Sequence, residues 1–163
     1  MRMRPVILAV GIMTALLGAA MLPCAAVDLY YGEENWAIFA LSGVGAIFIG
    51  TCLAIMTGGG TPRTGPREAF LLTVLIWVVL PAIAAIPLVA SNMTITDAWF
   101  ESVSGLTTTG STVLTGLDDL PKGLLLWRAI LQWIGGIGII VTAIAILPML
   151  RVGGMQLLSL IHI

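Results

Sequence analysis

Four long apolar segments dominate the sequence and restrict the chain to folds that are embedded in a lipid bilayer. They cover residues 6–27, 36–56, 69–90 and 124–150. A helix that crosses the hydrocarbon core of a bilayer needs about 20 apolar residues, so each segment is long enough to do so. The composition agrees, because 59% of the residues are hydrophobic and 9% are charged, where soluble domains carry about 25% charged residues. The sequence therefore predicts four transmembrane helices.

The distribution of basic residues predicts the orientation of these helices. Short cytoplasmic loops carry an excess of Lys and Arg. With a cytoplasmic N-terminus, five basic residues lie on the inner side and two on the outer side. These are Arg2, Arg4, Arg63, Arg67 and Arg151 inside, and Lys122 and Arg128 outside. We therefore expect both termini in the cytoplasm, with Asp28 among the acidic residues of the outer side.

Two local patterns have competing interpretations. Residues 24–26 resemble a signal-peptide cleavage site, but signal h-regions run about 7–15 residues and this apolar segment is longer. The glycine-rich loop after the second segment has phosphate-loop spacing at Gly60 and Gly65. It lacks the following Lys and Ser/Thr as well as a preceding strand. We interpret this loop as a cytoplasmic turn.

The stretch 91–123, between the third and fourth segments, is too polar to span a membrane and too apolar for an ordinary loop. Its first half predicts a short helix. Thr94, three residues before Asp97, is a variant of the capping box, and Gly105 is a candidate for the helix end. About ten residues give roughly 15 Å, which is half a bilayer. We predict a re-entrant half-helix.

Residues 107–112, Thr-Thr-Thr-Gly-Ser-Thr, follow this half-helix. Non-helical backbone at membrane depth is tolerated only when it is buried in protein or lines an aqueous path. Glycine allows backbone conformations that other residues avoid, and carbonyl oxygens replace the hydration shell of potassium in ion filters. The loop is therefore predicted to coordinate a cation. Asp118 and Asp119 follow at the expected outer mouth, where they can raise the local cation concentration.

These segments together resemble the TrkH/TrkG/KtrB family of potassium transporters. The resemblance rests on residues 100–112, 126–129, 132–138 and 147–156. It implies two additional helices in residues 1–57, a cytoplasmic loop at 58–68 and a helix–pore loop–helix repeat at 69–157. It also implies that backbone carbonyls of one short stretch coordinate potassium. That stretch is Thr108, Thr109, Gly110 and Ser111, with Thr109 and Gly110 the strongest candidates.

The resemblance further implies a setting for the chain. In the family, four linked repeats surround a pore in the bacterial inner membrane. The pore-forming subunit is homodimeric and works with a cytosolic ring of nucleotide-binding subunits, as a symporter or a channel-like protein. We expect potassium as cargo and lipid as the surroundings, with no resident cofactor and no nucleic acid. This chain holds one repeat and ends in an atypical tail at 158–163, so we expect a truncated fragment that supplies one of four filter repeats.

Other functions remain open on the residues alone. A non-conducting membrane protein that associates with other helices would also carry a polar loop and glycine-rich helix faces. An intramembrane enzyme is disfavoured, because the matched region has no Ser/His pair and no HExxH motif. Asp97 and Glu101 lie four residues apart, but two carboxylates alone do not define an active site. We therefore expect no catalytic residues.

Two charged residues near the loop have undecided roles. Glu101 either attracts the ion or supports the filter through hydrogen bonds to nearby backbone, and we favour support. Arg128 either extends to the outer interface or pairs with Asp118, Asp119 or Glu101.

Three glycines of the fourth segment, Gly135, Gly136 and Gly138, invite two interpretations. A nucleotide site would need the full dinucleotide fingerprint and a preceding strand, which the sequence lacks. We therefore expect these glycines to allow close packing against a neighbouring helix.

Overall fold

The computed structural model describes residues 3–58 and 65–146. Within them it has five α-helices and one short 3-10 turn, and no strand. They are α1 (Met3–Tyr31), α2 (Trp36–Thr57), α3 (Pro66–Ala90), α4 (Ile95–Leu106), the 3-10 turn Leu117–Asp119 and α5 (Lys122–Ile146). Four of these, α1, α2, α3 and α5, are long and apolar enough to cross a membrane. The predicted fold class is confirmed: an all-α membrane protein with four spanning helices, one short half-helix and a following loop. The tail at 158–163 lies outside the described residues.

Helices α1 and α2 form an antiparallel hairpin in which glycine faces glycine. A Cβ atom on Gly18 would lie 2.6 Å from the carbonyl oxygen of Gly43, and one on Gly11 would lie 2.8 Å from that of Gly50. In lipid, helices associate through close van der Waals packing, which small residues permit. The absence of side chains at these positions therefore sets the distance between the two backbones.

Helix α5 packs against each of the other helices near its first two turns. Trp127 is fully buried there. Its indole Nε1 donates to the carbonyl oxygen of Ala84 in α3 at 3.1 Å. The ring of Phe39 from α2 meets the indole at a steep angle, with centroids 6.3 Å apart. These contacts join α2, α3 and α5 around one buried aromatic side chain.

The short helix α4 begins as the sequence predicts and ends one residue later than Gly105. The Thr94 hydroxyl oxygen accepts a hydrogen bond from the Asp97 amide at 3.2 Å and lies 2.7 Å from an Asp97 carboxylate oxygen. Gly105 does not end the helix, which continues to Leu106. A Cβ atom on Gly105 would lie 3.0 Å from the Cβ of Leu131 in α5. The glycine therefore serves the packing of α4 against α5, and the prediction of a glycine end was wrong.

Candidate functional site

The loop that follows α4 contains two residues with left-handed backbone. Thr108 has φ 56° and Gly110 has φ 77°. Glycine adopts this conformation freely, whereas a β-branched residue such as threonine rarely does and needs surrounding contacts to hold it there. Residues 108–113 are exposed. The loop is therefore a specifically shaped, accessible stretch of backbone.

The amides at the start of this loop point back toward α4. Thr107 donates to the carbonyl oxygen of Val103 at 2.8 Å, and Thr109 donates to that of Ser104 at 3.0 Å. The carbonyl oxygens are placed differently. Among the described residues, none donates a hydrogen bond to the carbonyl oxygen of Thr108, Thr109 or Gly110. Three successive carbonyls are thus available to a ligand.

The fourth predicted carbonyl, that of Ser111, has a protein partner. The hydroxyl of Ser104 donates to it at 2.6 Å. Ser104 is itself largely buried in α4. This contact fixes the far side of the loop to the half-helix and leaves the Ser111 carbonyl one remaining lone pair.

Glu101 connects the loop to α5. Its Oε1 accepts from the Thr112 hydroxyl at 2.5 Å and from the Val113 amide at 2.7 Å. Its Oε2 lies 2.9 Å from Nε of Arg128, and the side chains of Glu101 and Arg128 are 1% and 16% exposed. Of the partners considered for Arg128, the structure gives Glu101. The carboxylate therefore holds residues 112–113 of the loop and the arginine of α5 at once.

These contacts also decide the charge of Glu101, which lies outside the four spanning helices. Burial by itself raises the pKa of this carboxyl, because the charged form loses its water. The hydrogen bonds from Thr112, Val113 and Arg128, together with the arginine charge, outweigh burial and hold the pKa below its ordinary value. An ionised carboxylate accepts hydrogen bonds from all three groups, so the connection persists at neutral pH.

One face of α5 packs along the end of α4 and along the loop. A Cβ atom on Gly135 would overlap the carbonyl of Leu106, so close packing at this glycine is confirmed. A Cβ atom on Gly138 would have no described atom outside its own helix backbone within 4 Å, so the packing expectation there stays a prediction. The Gln132 amide nitrogen lies 4.0 Å from the position of a Cβ atom on Gly110. Gln132 is therefore a neighbour of the loop.

Asp118 and Asp119 lie in the 3-10 turn beyond the loop. Gly116, with φ 65°, precedes this turn. The side chain of Asp119 is exposed, and the side chain of Asp118 lies outside the described part of the chain.

Sequence reasoning missed the roles of Ser104 and Asp28, and it placed Thr112 in the loop without its contact to Glu101. Ser104 has a detectable signal, because it lies three residues after Glu101 and so shares its helix face. No local pattern marks Asp28, whose partner is 95 residues away. Within the described residues, no group of three or more His, Cys, Asp or Glu could hold a metal ion.

Comparison with known proteins places these features in a family context. The TrkH family model, described as cation transport protein, matches residues 38–160. The Trk system potassium uptake protein TrkH of Escherichia coli K12 is 45% identical over 160 residues, which cover 96% of this chain and 33% of that protein. TrkG of the same organism is 37% identical over 158 residues, or 90% of this chain and 31% of that protein.

A solved structure is similar over nearly the whole chain. The crystal structure of the potassium transporter TrkH from Vibrio parahaemolyticus aligns with a TM-score of 0.87 and 43% identity, covering 94% of this chain and 34% of that one. The chain thus spans about a third of the length of the relatives that it matches.

Proposed function

Because the chain belongs to the TrkH family of cation transport proteins, we propose that it supplies one filter repeat of a potassium uptake protein. Helices α3, α4 and α5 with the intervening loop make up this repeat, and residues 108–111 are its contribution to the filter. Potassium is the cargo. The ion passes without covalent chemistry, so the proposed role is transport and not catalysis.

The observation that carries this proposal is the set of unpaired carbonyl oxygens at Thr108, Thr109 and Gly110. A desolvated potassium ion needs oxygen ligands in place of its hydration shell. The left-handed backbone at Thr108 and Gly110 turns the chain between these carbonyls, while the first loop amides are bound by α4. The C-terminal end of α4 adds the negative end of a helix dipole, which favours a cation.

The contacts rank the candidate ligands. Thr109 and Gly110 remain the strongest, followed by Thr108. The carbonyl of Ser111 already accepts the Ser104 hydroxyl, so we propose a weaker role for it. Glu101 supports the loop, because its oxygens accept hydrogen bonds from Thr112, Val113 and Arg128. Asp118 and Asp119 raise the cation concentration at the outer mouth.

The wider setting is also a proposal. The remaining filter repeats would complete the pore, in a homodimer that contacts a cytosolic ring of nucleotide-binding regulatory subunits. The chain would lie in the bacterial inner membrane with both termini in the cytoplasm. The positions of Arg4 and Arg67, at the ends of α1 and α3 assigned to the inner side, support this orientation.

A pair of glycine substitutions tests the filter assignment. Gly110→Val places a β-branched side chain at φ 77°, within the proposed filter. Gly116→Val places the same side chain at φ 65°, outside it. Each variant carries strain of about 1–3 kcal/mol, so the pair separates strain from filter geometry. The measurement is potassium uptake, and its selectivity over sodium, by proteoliposomes that contain the complete transporter assembly with this chain.

We expect Gly110→Val to lose uptake or selectivity, and Gly116→Val to keep both. Equal selectivity and uptake in the parent and a folded Gly110→Val variant would contradict the filter assignment. A folded parent assembly without potassium flux would instead favour a non-conducting interaction protein.

A further inference from the structure

We infer that Asp28, in the hairpin outside the filter repeat, is a positioning residue for the filter. It acts by fixing the start of α5, and the inference rests on the proposed function. Asp28 is fully buried near the end of α1. Its Oδ1 accepts a hydrogen bond from the backbone amide of Gly123 at 2.5 Å.

The contact has the chemistry of a helix cap supplied by another helix. Gly123 is the second residue of α5, and amides in the first turn of a helix have no partner within it. A carboxylate at that end also interacts favourably with the helix dipole. Asp28 thereby supplies an acceptor to an amide in the first turn of α5.

The fit at this junction depends on glycine. A Cβ atom on Gly123 would lie 2.5 Å from the carboxyl carbon of Asp28 and no more than 2.6 Å from either oxygen. Any side chain at position 123 would therefore displace the carboxylate or move the helix. The second oxygen, Oδ2, is buried and has no hydrogen-bond partner among the described residues. The acid is thus kept in place at a desolvation cost.

The start of α5 lies close to Arg128, which binds the Glu101 carboxylate that supports the loop. Gly123 and Arg128 are five residues apart, which is about 7.5 Å along a helix. Trp127, next to Arg128, is held by Ala84. Arg128 holds Glu101, and Glu101 holds Thr112 at the outer end of the loop. A shift of the first turn of α5 would consequently move Arg128 relative to Glu101 and change the loop geometry.

Two substitutions disrupt the contact between Asp28 and Gly123, one at each residue. Asp28→Leu removes the acceptor, and Gly123→Ala pushes the carboxylate away while leaving it in the chain. Asp28→Asn keeps an acceptor oxygen and is the conservative rescue variant. Glu34→Leu removes an exposed acid at the same end of the hairpin and is the control. The readouts are the KM for potassium and the potassium-to-sodium selectivity of the complete transporter, normalised to folded protein.

We expect Asp28→Leu and Gly123→Ala to raise the KM or lower the selectivity by about tenfold, since small misplacements of a site reduce function steeply. Asp28→Asn and Glu34→Leu should resemble the parent. A merely structural role would reduce the amount of folded protein and leave KM and selectivity unchanged, and that result would overturn the inference.

If Asp28→Leu fails to fold, Gly123→Ala decides in its place, and unchanged KM and selectivity there would again overturn the inference. The proposed function fails separately, through Gly110→Val. A defective Gly110→Val variant beside normal Asp28→Leu and Gly123→Ala variants would leave the filter assignment standing and reject the role of Asp28.

Discussion

In the α1–α2 hairpin, two backbones touch where side chains are absent, whereas in the α3–α5 repeat buried polar groups make the decisive contacts. Gly18 and Gly43 illustrate the first arrangement, since the Cβ of either residue would meet the carbonyl oxygen of the other. Glu101 and Arg128 illustrate the second, with a 2.9 Å ion pair. Ionisable groups at membrane depth are costly and indicate function. The contrast therefore distinguishes the glycine contacts of the hairpin from the buried ion pair between α4 and α5.

The two arrangements should fail in opposite ways. A glycine contact is damaged by added atoms, because the facing backbone cannot move aside without separating the helices. A buried ion pair is damaged by removed atoms, because the remaining charge loses its partner. Substitutions at the glycine contacts of the hairpin should thus lower stability alone, and substitutions in the Glu101–Arg128 pair should also alter ion selectivity.

The largest effect is expected for Arg128→Met, which leaves the buried Glu101 carboxylate without its cation. Breaking a buried pair on one side costs about 3–5 kcal/mol. The Thr112 and Val113 contacts would persist, but the loop would lose its connection to α5. Unfolding by SDS in mixed micelles measures the stability, and flux through the complete transporter measures the loss of potassium selectivity.

Arg67→Met is the matched control, because Arg67 is exposed at the other end of the repeat. A double-mutant cycle with Glu101→Gln sharpens the result. Glutamine can still accept from Thr112 and Val113, so Glu101→Gln combined with Arg128→Met should recover part of the stability. Equal losses of stability and selectivity in the Arg67→Met and Arg128→Met variants would show that the Glu101–Arg128 ion pair contributes no more than an exposed arginine.

A smaller effect is expected for Gly18→Ala in the hairpin. The new methyl group would lie 2.6 Å from the carbonyl oxygen of Gly43, and overpacking of this kind costs about 1–3 kcal/mol. Gly45→Ala is the control, since nothing lies within 4 Å of its Cβ position. SDS unfolding should separate the two variants while potassium selectivity stays at the parent value in both. A selectivity loss in Gly18→Ala would show that the glycine contacts of the hairpin also influence the loop geometry.

The helices and the cap of α4 could be predicted because their signals are local. Apolar length marks the spanning helices, and Thr94 with Asp97 marks the start of α4. Gly105 misled the prediction, because a glycine near a helix end usually suggests termination. Its missing side chain is instead used by Leu131, 26 positions later. Local sequence does not distinguish these two uses of glycine.

The partner of Arg128 could not be predicted for a different reason. The sequence offered three acids as partners for Arg128, namely Glu101, Asp118 and Asp119. The choice among them depends on the rotation of α5 about its axis. That rotation is set by contacts such as Gly135 with Leu106 and Trp127 with Ala84. The junction of Asp28 with Gly123 is harder still, because it joins two helices whose neighbouring segments carry no shared pattern.

The smallest effect is expected at the beginning of α4. It distinguishes the start of this helix from the residues near its other end that hold the loop. Thr94→Ala removes the oxygen that accepts from the Asp97 amide, and loss of such a cap costs about 1 kcal/mol. Thr96→Ala is the control, an identical exchange at an exposed residue without a capping contact. The cap lies at the end of α4 far from the loop, whereas Glu101 and Ser104 hold the loop itself. Thr94→Ala should therefore lower the midpoint of SDS unfolding below that of Thr96→Ala and leave selectivity intact. A selectivity loss would mean that the whole half-helix, and not only its buried polar face, sets the loop geometry.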